Sequence, residues 1–269
     1  MTVAPLPTVF IPHGGGPCFF MDWTMGPADT WDRLAGFLRS FEAWLGRRPD
    51  AIVVVSGHHE APVVELTGAT APPLLFDYYG FPPHTYDLSY PASGSPALVA
   101  RMAALLEGAG VAHRVNPDRG FDHGVFVPFL LMFPDAAVPI VQLSLRSDLD
   151  AAFHLDLGAA IAALRQENVL VVGSGMSYHN MATFMSGQAA ESSGVFDQWL
   201  TTACTAEPRR RRELLEDWSR APRSRKAHPR EEHLLPLMVA AGAAGDDPGT
   251  RLFTDEVMGA TVSAYAFGR

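Results

Sequence analysis

Cysteine is almost missing from this chain. Only Cys18 and Cys204 occur, so no disulfide framework is expected, and zinc sites built from three or four cysteines are excluded by count. No apolar run reaches the ~18 residues of a membrane span. The N-terminus lacks a charged stretch followed by an apolar core, so the default expectation is a cytoplasmic protein with no membrane contact. A basic excess is lacking too: the formal net charge is −9, whereas nucleic-acid binders carry a basic footprint. The one basic run, residues 209–212, precedes Glu213, Glu216 and Asp217 and reads as a solvated helix start. The patterns H-E-x-x-H, G-x-S-x-G, G-x-G-x-x-G and the P-loop are absent. A zincin, a serine-hydrolase elbow and a nucleotide site therefore have no support. No internal repeat and no Gly-, Ser- or Pro-rich linker divides the chain, which is read as a single domain, 1–269.

What is present points to a buried sheet. Hydrophobic residues make up 48% and charged ones 18%, enough apolar material for a sizeable core. Ile52, Val53, Val54 and Val55 run without polar alternation, as in a strand buried on both faces of a parallel sheet. That run ends in Ser56-Gly57 and is followed by His58, His59 and Glu60. The pattern recurs. Val9-Phe10-Ile11-Pro12 leads into His13-Gly14-Gly15-Gly16, and Val169-Leu170-Val171-Val172 leads into Gly173-Ser174-Gly175 and then His179. In open α/β sheets, ligands collect outside the carboxyl ends of the strands. The expected fold is α/β: a central, mostly parallel or mixed sheet flanked by helices, with the active site at the strand carboxyl ends.

Other segments fill in around that frame. Leu34, Leu38, Phe41 and Leu45 recur at helical spacing and predict a helix over 31–45, closed by Gly46. Further helices are expected at 96–107, 125–132 (opened by Asp122-His123-Gly124), 148–165, 192–203, 211–218 and 231–241. Strands are expected at 63–66, 111–115 and 138–143, with one or two closing strands over 251–267. Residues 76–96 hold four tyrosines, four prolines and two glycines. A loop so long and aromatic is more often functional than idle. A charged, proline-bearing loop is expected at 219–230.

Ten histidines occur, and any one of them alone is an ordinary surface or hydrogen-bonded residue. His113 and His154 read that way; His84 and His228, in loops beside prolines, stay open. His13, His58 and His179 differ, because each follows a buried strand and small residues. Their recurrence points to a metal site, and neutral imidazole suits Zn, Cu, Fe and Ni.

Seven short blocks, in order, carry a family resemblance. They are His13-Gly14; Ser56-Gly57-His58-His59; Tyr79-Gly80-Phe81-Pro82 with Tyr90-Pro91-Ala92-Ser93-Gly94; Asp122-His123-Gly124; Val141-Gln142-Leu143-Ser144; Gly173-Ser174-Gly175 with His179-Asn180; and His228-Pro229 with Glu232-His233-Leu234-Leu235-Pro236-Leu237. Across about 8–267 the chain resembles the DODA-type (4,5-DOPA) extradiol dioxygenases of the protocatechuate 4,5-dioxygenase superfamily. The resemblance implies His13, His58 and His233 as metal ligands. His179 would be either a fourth metal contact or an acid–base group, and His123 a second acid–base or substrate contact. It further implies Fe(II) for activity, with Zn(II) also suited to an all-histidine site. The implied reaction is insertion of O2 into a catechol (L-DOPA, caffeate or similar) to give a muconic semialdehyde. Tyr78, Tyr79, Phe81, Phe126 and Trp23 are candidates to line the pocket. Glu232 is a substitute ligand, although neighbours on a helix point about 100° apart. Partners would be the catechol and O2, with the protein a monomer or homodimer.

Two other readings use the same histidines. One is a zinc-dependent hydrolase that activates water; the other is a metal-binding interaction protein without turnover. A mere scaffold would not need both His123 and His179.

Overall fold

The β-branched runs become the middle of one eight-stranded sheet. The computed structural model describes residues 4–184 and 188–268. Its strands are β1 (Thr8–Pro12), β2 (Ala51–Ala61), β3 (Val64–Thr67), β4 (His113–Asn116), β5 (Ile140–Arg146), β6 (Val169–Gly175), β7 (Gly249–Val257) and β8 (Ala260–Phe267). Their order is β4-β3-β5-β2-β6-β1-β8-β7. The central four, β5-β2-β6-β1, are parallel, with Val54 opposite Val172 and Val9 opposite the same residue from the other side. β3 joins β5, and β8 joins β1, in antiparallel fashion, so the sheet is mixed at its flanks. The central strands are buried on both faces, which is why they carry no polar alternation.

The helices are α1 (Asp32–Arg39), α2 (Phe41–Leu45), α3 (Pro96–Gly108), α4 (His123–Met132), α5 (Ala151–Ile161), α6 (Met181–Phe184), α7 (Ala189–Cys204), α8 (Pro208–Glu216), α9 (Ser224–Ala227) and α10 (Leu235–Ala244). Successive residues of β6 assign two of them to opposite faces. Ser174 Oγ donates to the Gly124 carbonyl in α4, whereas a Cβ on Gly173 or Gly175 would strike the carbonyl of Pro236 or His233 at 2.2 and 2.1 Å. The Ser174 bond has a second use. Pro128, inside α4, has no N–H to offer the Gly124 carbonyl four residues back, and the serine hydroxyl takes its place. α10 is buried all round, between the sheet and α5, and the α5–α10 contact is made at glycines. A Cβ on Gly242 would lie 2.0 Å from the Leu155 carbonyl, and one on Gly158 2.1 Å from that of Val239.

Several boundaries differ from the sequence reading, for local reasons. The helix expected over 31–45 breaks at Ser40, whose hydroxyl donates to the Phe37 carbonyl at 2.7 Å and competes with the helical ladder. β2 does not end at Ser56-Gly57. It continues to Ala61 through a register shift against β5 between Val55 and Glu60, so His58 and His59 lie within the strand. α10 begins at Leu235 rather than 231, and residues 231–234 form a turn. The loop at 219–230 contains α9. Within the basic run, Arg211 is buried and donates to the Asp247 and Gly245 carbonyls, while Arg209 and Arg210 pair with Glu213 as a solvated start would.

Candidate metal centre

Five histidines from five chain segments meet at the carboxyl edge of the parallel strands. His13 follows β1, His58 lies late in β2, His123 opens α4, His179 follows β6, and His233 sits in the turn before α10. Close backbone approach brings the last of these in. The Met176 N–H donates to the His233 carbonyl at 3.0 Å. Gly57 and Gly175 leave the room for it: a Cβ on Gly57 would lie 3.0 Å from the Glu232 carbonyl and 3.3 Å from the His233 Cα.

The motif blocks also support one another beneath the site. Asp122, fully buried at the start of α4, accepts from Ser56 Oγ at 2.7 Å, Gln142 Nε2 at 2.5 Å and Arg119 Nη2 at 3.2 Å. Arg119 also donates to the His58 carbonyl at 3.0 Å. On the other side, the His179 N–H donates to the Ala227 carbonyl at 3.0 Å, and Asn180 to that of Lys226 at 2.8 Å, which docks the post-β6 segment on α9.

The rings are close. Centroids of His13 lie 4.9 Å from His58 and 5.3 Å from both His123 and His233. His58 lies 3.9 Å from His123 and 4.7 Å from His233. His179 stacks on His233 at 3.4 Å with 15° between planes. Donor atoms gather in two sets, each within 4.8 Å: His13, His58 and His123, and His179, Glu232 and His233. The expected trio of His13, His58 and His233 therefore spans both sets, which meet where His58 Nε2 and His233 Nε2 stand 3.2 Å apart.

Two carboxylates organise the histidines in pairs. Asp77 Oδ1 accepts from His123 Nδ1 at 2.7 Å and from the His123 N–H at 3.0 Å, while its Oδ2 lies 3.6 Å from His58 Nδ1. Glu232 Oε1 lies 3.0 Å from His233 Nδ1 and 3.5 Å from His179 Nδ1. Arg230 continues that chain, 3.3 Å from Glu232 and bidentate to Glu60. Glu232 can reach its neighbour's ring because residues 231–234 are a turn. The separation expected of adjacent helical side chains does not apply there, and Glu232 backs His233 from behind. Sequence reasoning missed this, and it had no signal for Asp77, one acidic residue in an aromatic loop.

Burial favours the neutral form of three of the imidazoles. Burial, reinforced by the neighbouring imidazoles, holds His13 well below the usual histidine range and pushes His58 down to about 4. Burial likewise depresses His233, against the opposing pull of Glu232. Burial would raise Glu232, but hydrogen bonds from His179 and His233 outweigh it and hold the carboxyl low. Asp77 is lowered in the same way by His123.

The donor set fits a metal. His13 donates its Nδ1–H to the Gly14 carbonyl at 2.9 Å, and its buried Nε2 has no hydrogen-bond partner. Neutral imidazoles whose Nδ1 is held by a carbonyl or carboxylate present a bare Nε2, as metal-ligating histidines do. A buried, unpartnered acceptor is otherwise costly.

The aromatic candidates sort unevenly. Tyr78 packs edge-on against His123 at 5.8 Å, and Phe81 against Tyr78 at 5.5 Å. Phe126 is buried beneath Phe76, and Trp23 packs on Trp31, so both belong to the core around the site. Tyr79 is 90% exposed. The apolar recess beside His179 lies elsewhere, walled by Gly14, Trp31, Met176, Phe184 and Met258. His59, pointing away from the cluster, pairs with Glu65 at 3.2 Å. His113 donates to the Val111 carbonyl, His154 in α5 accepts from the Arg146 N–H, and His228 donates to the Ser177 carbonyl.

Fold and site together define a class: an α/β protein with a histidine cluster able to hold a metal at the carboxyl edge of its sheet. Residues 7–268 match the family described as the catalytic LigB subunit of aromatic ring-opening dioxygenase, and the chain belongs to that family. It is 39% identical over 238 residues to the 4,5-DOPA dioxygenase extradiol of Beta vulgaris, covering 86% of this chain and 88% of that one. It is 38% identical over 235 residues to dioxygenase tasH of Hapsidospora irregularis (82% and 72%), and 33% identical over 255 residues to the 4,5-DOPA dioxygenase extradiol of Escherichia coli K12 (93% and 90%). A crystal structure of an uncharacterised Escherichia coli K12 protein superposes with a TM-score of 0.78 at 29% identity, covering 98% of this chain and all of that one. The protein is an aromatic ring-opening dioxygenase of a metal-dependent family. The hydrolase and the non-catalytic scaffold are not the class this family describes.

Proposed function

We propose that the protein opens the ring of a catechol beside its hydroxyl pair, with Fe(II) held by His13, His58 and His233, to give a muconic semialdehyde. The observation that carries this reading is the facing pair of Nε2 atoms on His58 and His233, with the buried, unpartnered Nε2 of His13 beside them. When bound, Fe(II) supplies the electron path between ring and O2 and holds the two together. Zinc would fit the same donors but has no redox chemistry.

The chain's own residues manage protons and position. Asp77 takes the Nδ1–H of His123, which leaves His123 Nε2 as the basic atom. His179, stacked on His233, is the first choice to accept the second phenolic proton and return it as the ring opens, and His123 the second. Burial of the cluster excludes water from the reacting atoms. Both oxygen atoms enter the product, and the carbon–carbon bond next to the diol breaks. L-DOPA, caffeate and related catechols are the substrates to try, given the activity for which the Beta vulgaris and Escherichia coli relatives are named. The test is anaerobic Fe(II) loading followed by a catechol panel in air. We expect O2 uptake and a yellow product; no uptake with any member overturns the reading.

A further inference from the structure

The β7–β8 hairpin turns on Met258 and Gly259, with Val257 paired to Ala260 across them. Both turn residues have positive φ, 51° and 76°, as a type I′ turn requires. The first position of such a turn favours Asn, Asp or Gly, because the left-handed region crowds a larger side chain. Methionine there works against local preference, and backbone strain of this kind gathers at functional sites.

The Met258 side chain has a place that accounts for it. It is part-buried and stands with Phe184 on the wall of the apolar recess beside His179. The same two residues also wall an outer cleft of about 430 Å³, lined further by Met25, Thr30 and Arg33, the last paired with Asp255. Phe184 and Met258 thus line both the recess beside His179 and that cleft. The aromatic loop at 76–96 approaches the site from the Tyr78 and Phe81 side, whereas the recess walled by Met258 lies on the His179 side.

We propose that Met258 is a specificity-determining residue, gripping the ring substituent of a catechol whose hydroxyls are held at the histidine cluster. A substituent long enough to extend past Phe184 and Met258 meets the cleft that they also line, so the preferred substrate is a catechol with an elongated side chain. The inference rests on the catechol reading above. A thioether suits the task, being unbranched and polarisable and making favourable contacts at aromatic edges.

The experiment compares wild type, Met258→Asn and Met258→Leu as Fe(II)-loaded proteins, with unsubstituted catechol and with caffeate, whose three-carbon side chain extends from the ring. Asparagine suits the turn, so Met258→Asn should melt no lower than wild type. It should nevertheless raise the ratio of the caffeate KM to the catechol KM about tenfold. Met258→Leu, which restores apolar bulk, should bring the ratio back most of the way. Equilibrium binding of both catechols to Zn(II)-loaded protein should follow the same order without turnover. A ratio unchanged in Met258→Asn, or a loss shared equally by both catechols, overturns the inference. Wild type that consumes no O2 with either catechol overturns the catechol reading instead, and this inference with it.

Discussion

The Nε2 atoms of His58 and His233 face each other at 3.2 Å, with their Nδ1 sides turned toward Asp77 and Glu232. With Nδ1 protonated on both rings, two lone pairs are opposed in a buried site. A cation between or beside them relieves that repulsion, and His13 adds a third bare nitrogen. We therefore expect saturating Zn(II) or anaerobic Fe(II) to stabilise the fold. At a hundredfold excess over Kd the gain is about 2.7 kcal/mol, or roughly 5–10 °C in Tm for a domain of this size. Scanning calorimetry checks it, with His13→Ala losing most of the shift. An equal shift in His13→Ala would remove His13 from the ligand set.

Glu232 and His179 share a contact but differ in expected role, and the difference is measurable. Glu232→Gln keeps the shape but weakens the grip on the His233 Nδ1–H, so metal affinity should fall about 10–100-fold. His179→Ala should keep full metal occupancy while kcat falls by about 10²–10⁴. Metal titration beside O2-uptake kinetics separates the two. Loss of stoichiometric metal in His179→Ala would make it a fourth ligand rather than an acid–base group.

Gly57 gives a structural test of how the cluster is assembled. A methyl group there meets the Glu232 carbonyl at 3.0 Å and the His233 Cα at 3.3 Å, and both are backbone, which does not yield like a flexible side-chain end. Gly57→Ala should push the 231–234 turn off β2, and with it one imidazole and its carboxylate. We expect a folded protein, by circular dichroism, whose metal affinity drops by more than tenfold. Unchanged affinity would mean that the turn adjusts freely, contrary to its hydrogen bond with Met176.

The physics of each residue decides how legible it is in the sequence. His13, His58 and His179 stand out because buried parallel strands are unbroken β-branched runs, and the residues just past such a run lie at the sheet's edge. Strand alternation also sends His58 and His59 to opposite faces, one to the cluster and one to Glu65. Asp77 and Met258 leave no such trace. Each reaches the site through tertiary folding of a loop or hairpin tip, at no fixed sequence offset from a histidine. Glu232 is visible but mis-set, because the apolar spacing suggests a helix from 231 where a turn precedes α10. The loop's rings are a different case: composition marks it as aromatic but does not say that Tyr78 is buried and Tyr79 exposed.

The depressed histidines set the direction of the acid response. His58 titrates near 4 in the folded chain, against about 6.5 for an unperturbed imidazole. Between those values the unfolded chain binds the proton and the folded one does not, so stability present above pH ~6.5 is lost as pH falls through that window. His58 alone accounts for on the order of 3 kcal/mol. His13 and His233 shift the same way by burial, as does His228, down to about 3, whose Nε2 faces the Ser177 carbonyl. Urea unfolding of metal-free protein should therefore show midpoints dropping from pH 7 to 4.5. Bound Zn(II) should delay the fall, because protons must displace the metal from His13, His58 and His233 before those rings can charge. It should not abolish the fall, since His228 is not among the grouped donor atoms. Midpoints that stay flat from pH 7 to 4.5 would mean the folded chain takes up as many protons as the unfolded one, so that the buried imidazoles are not held neutral by the fold.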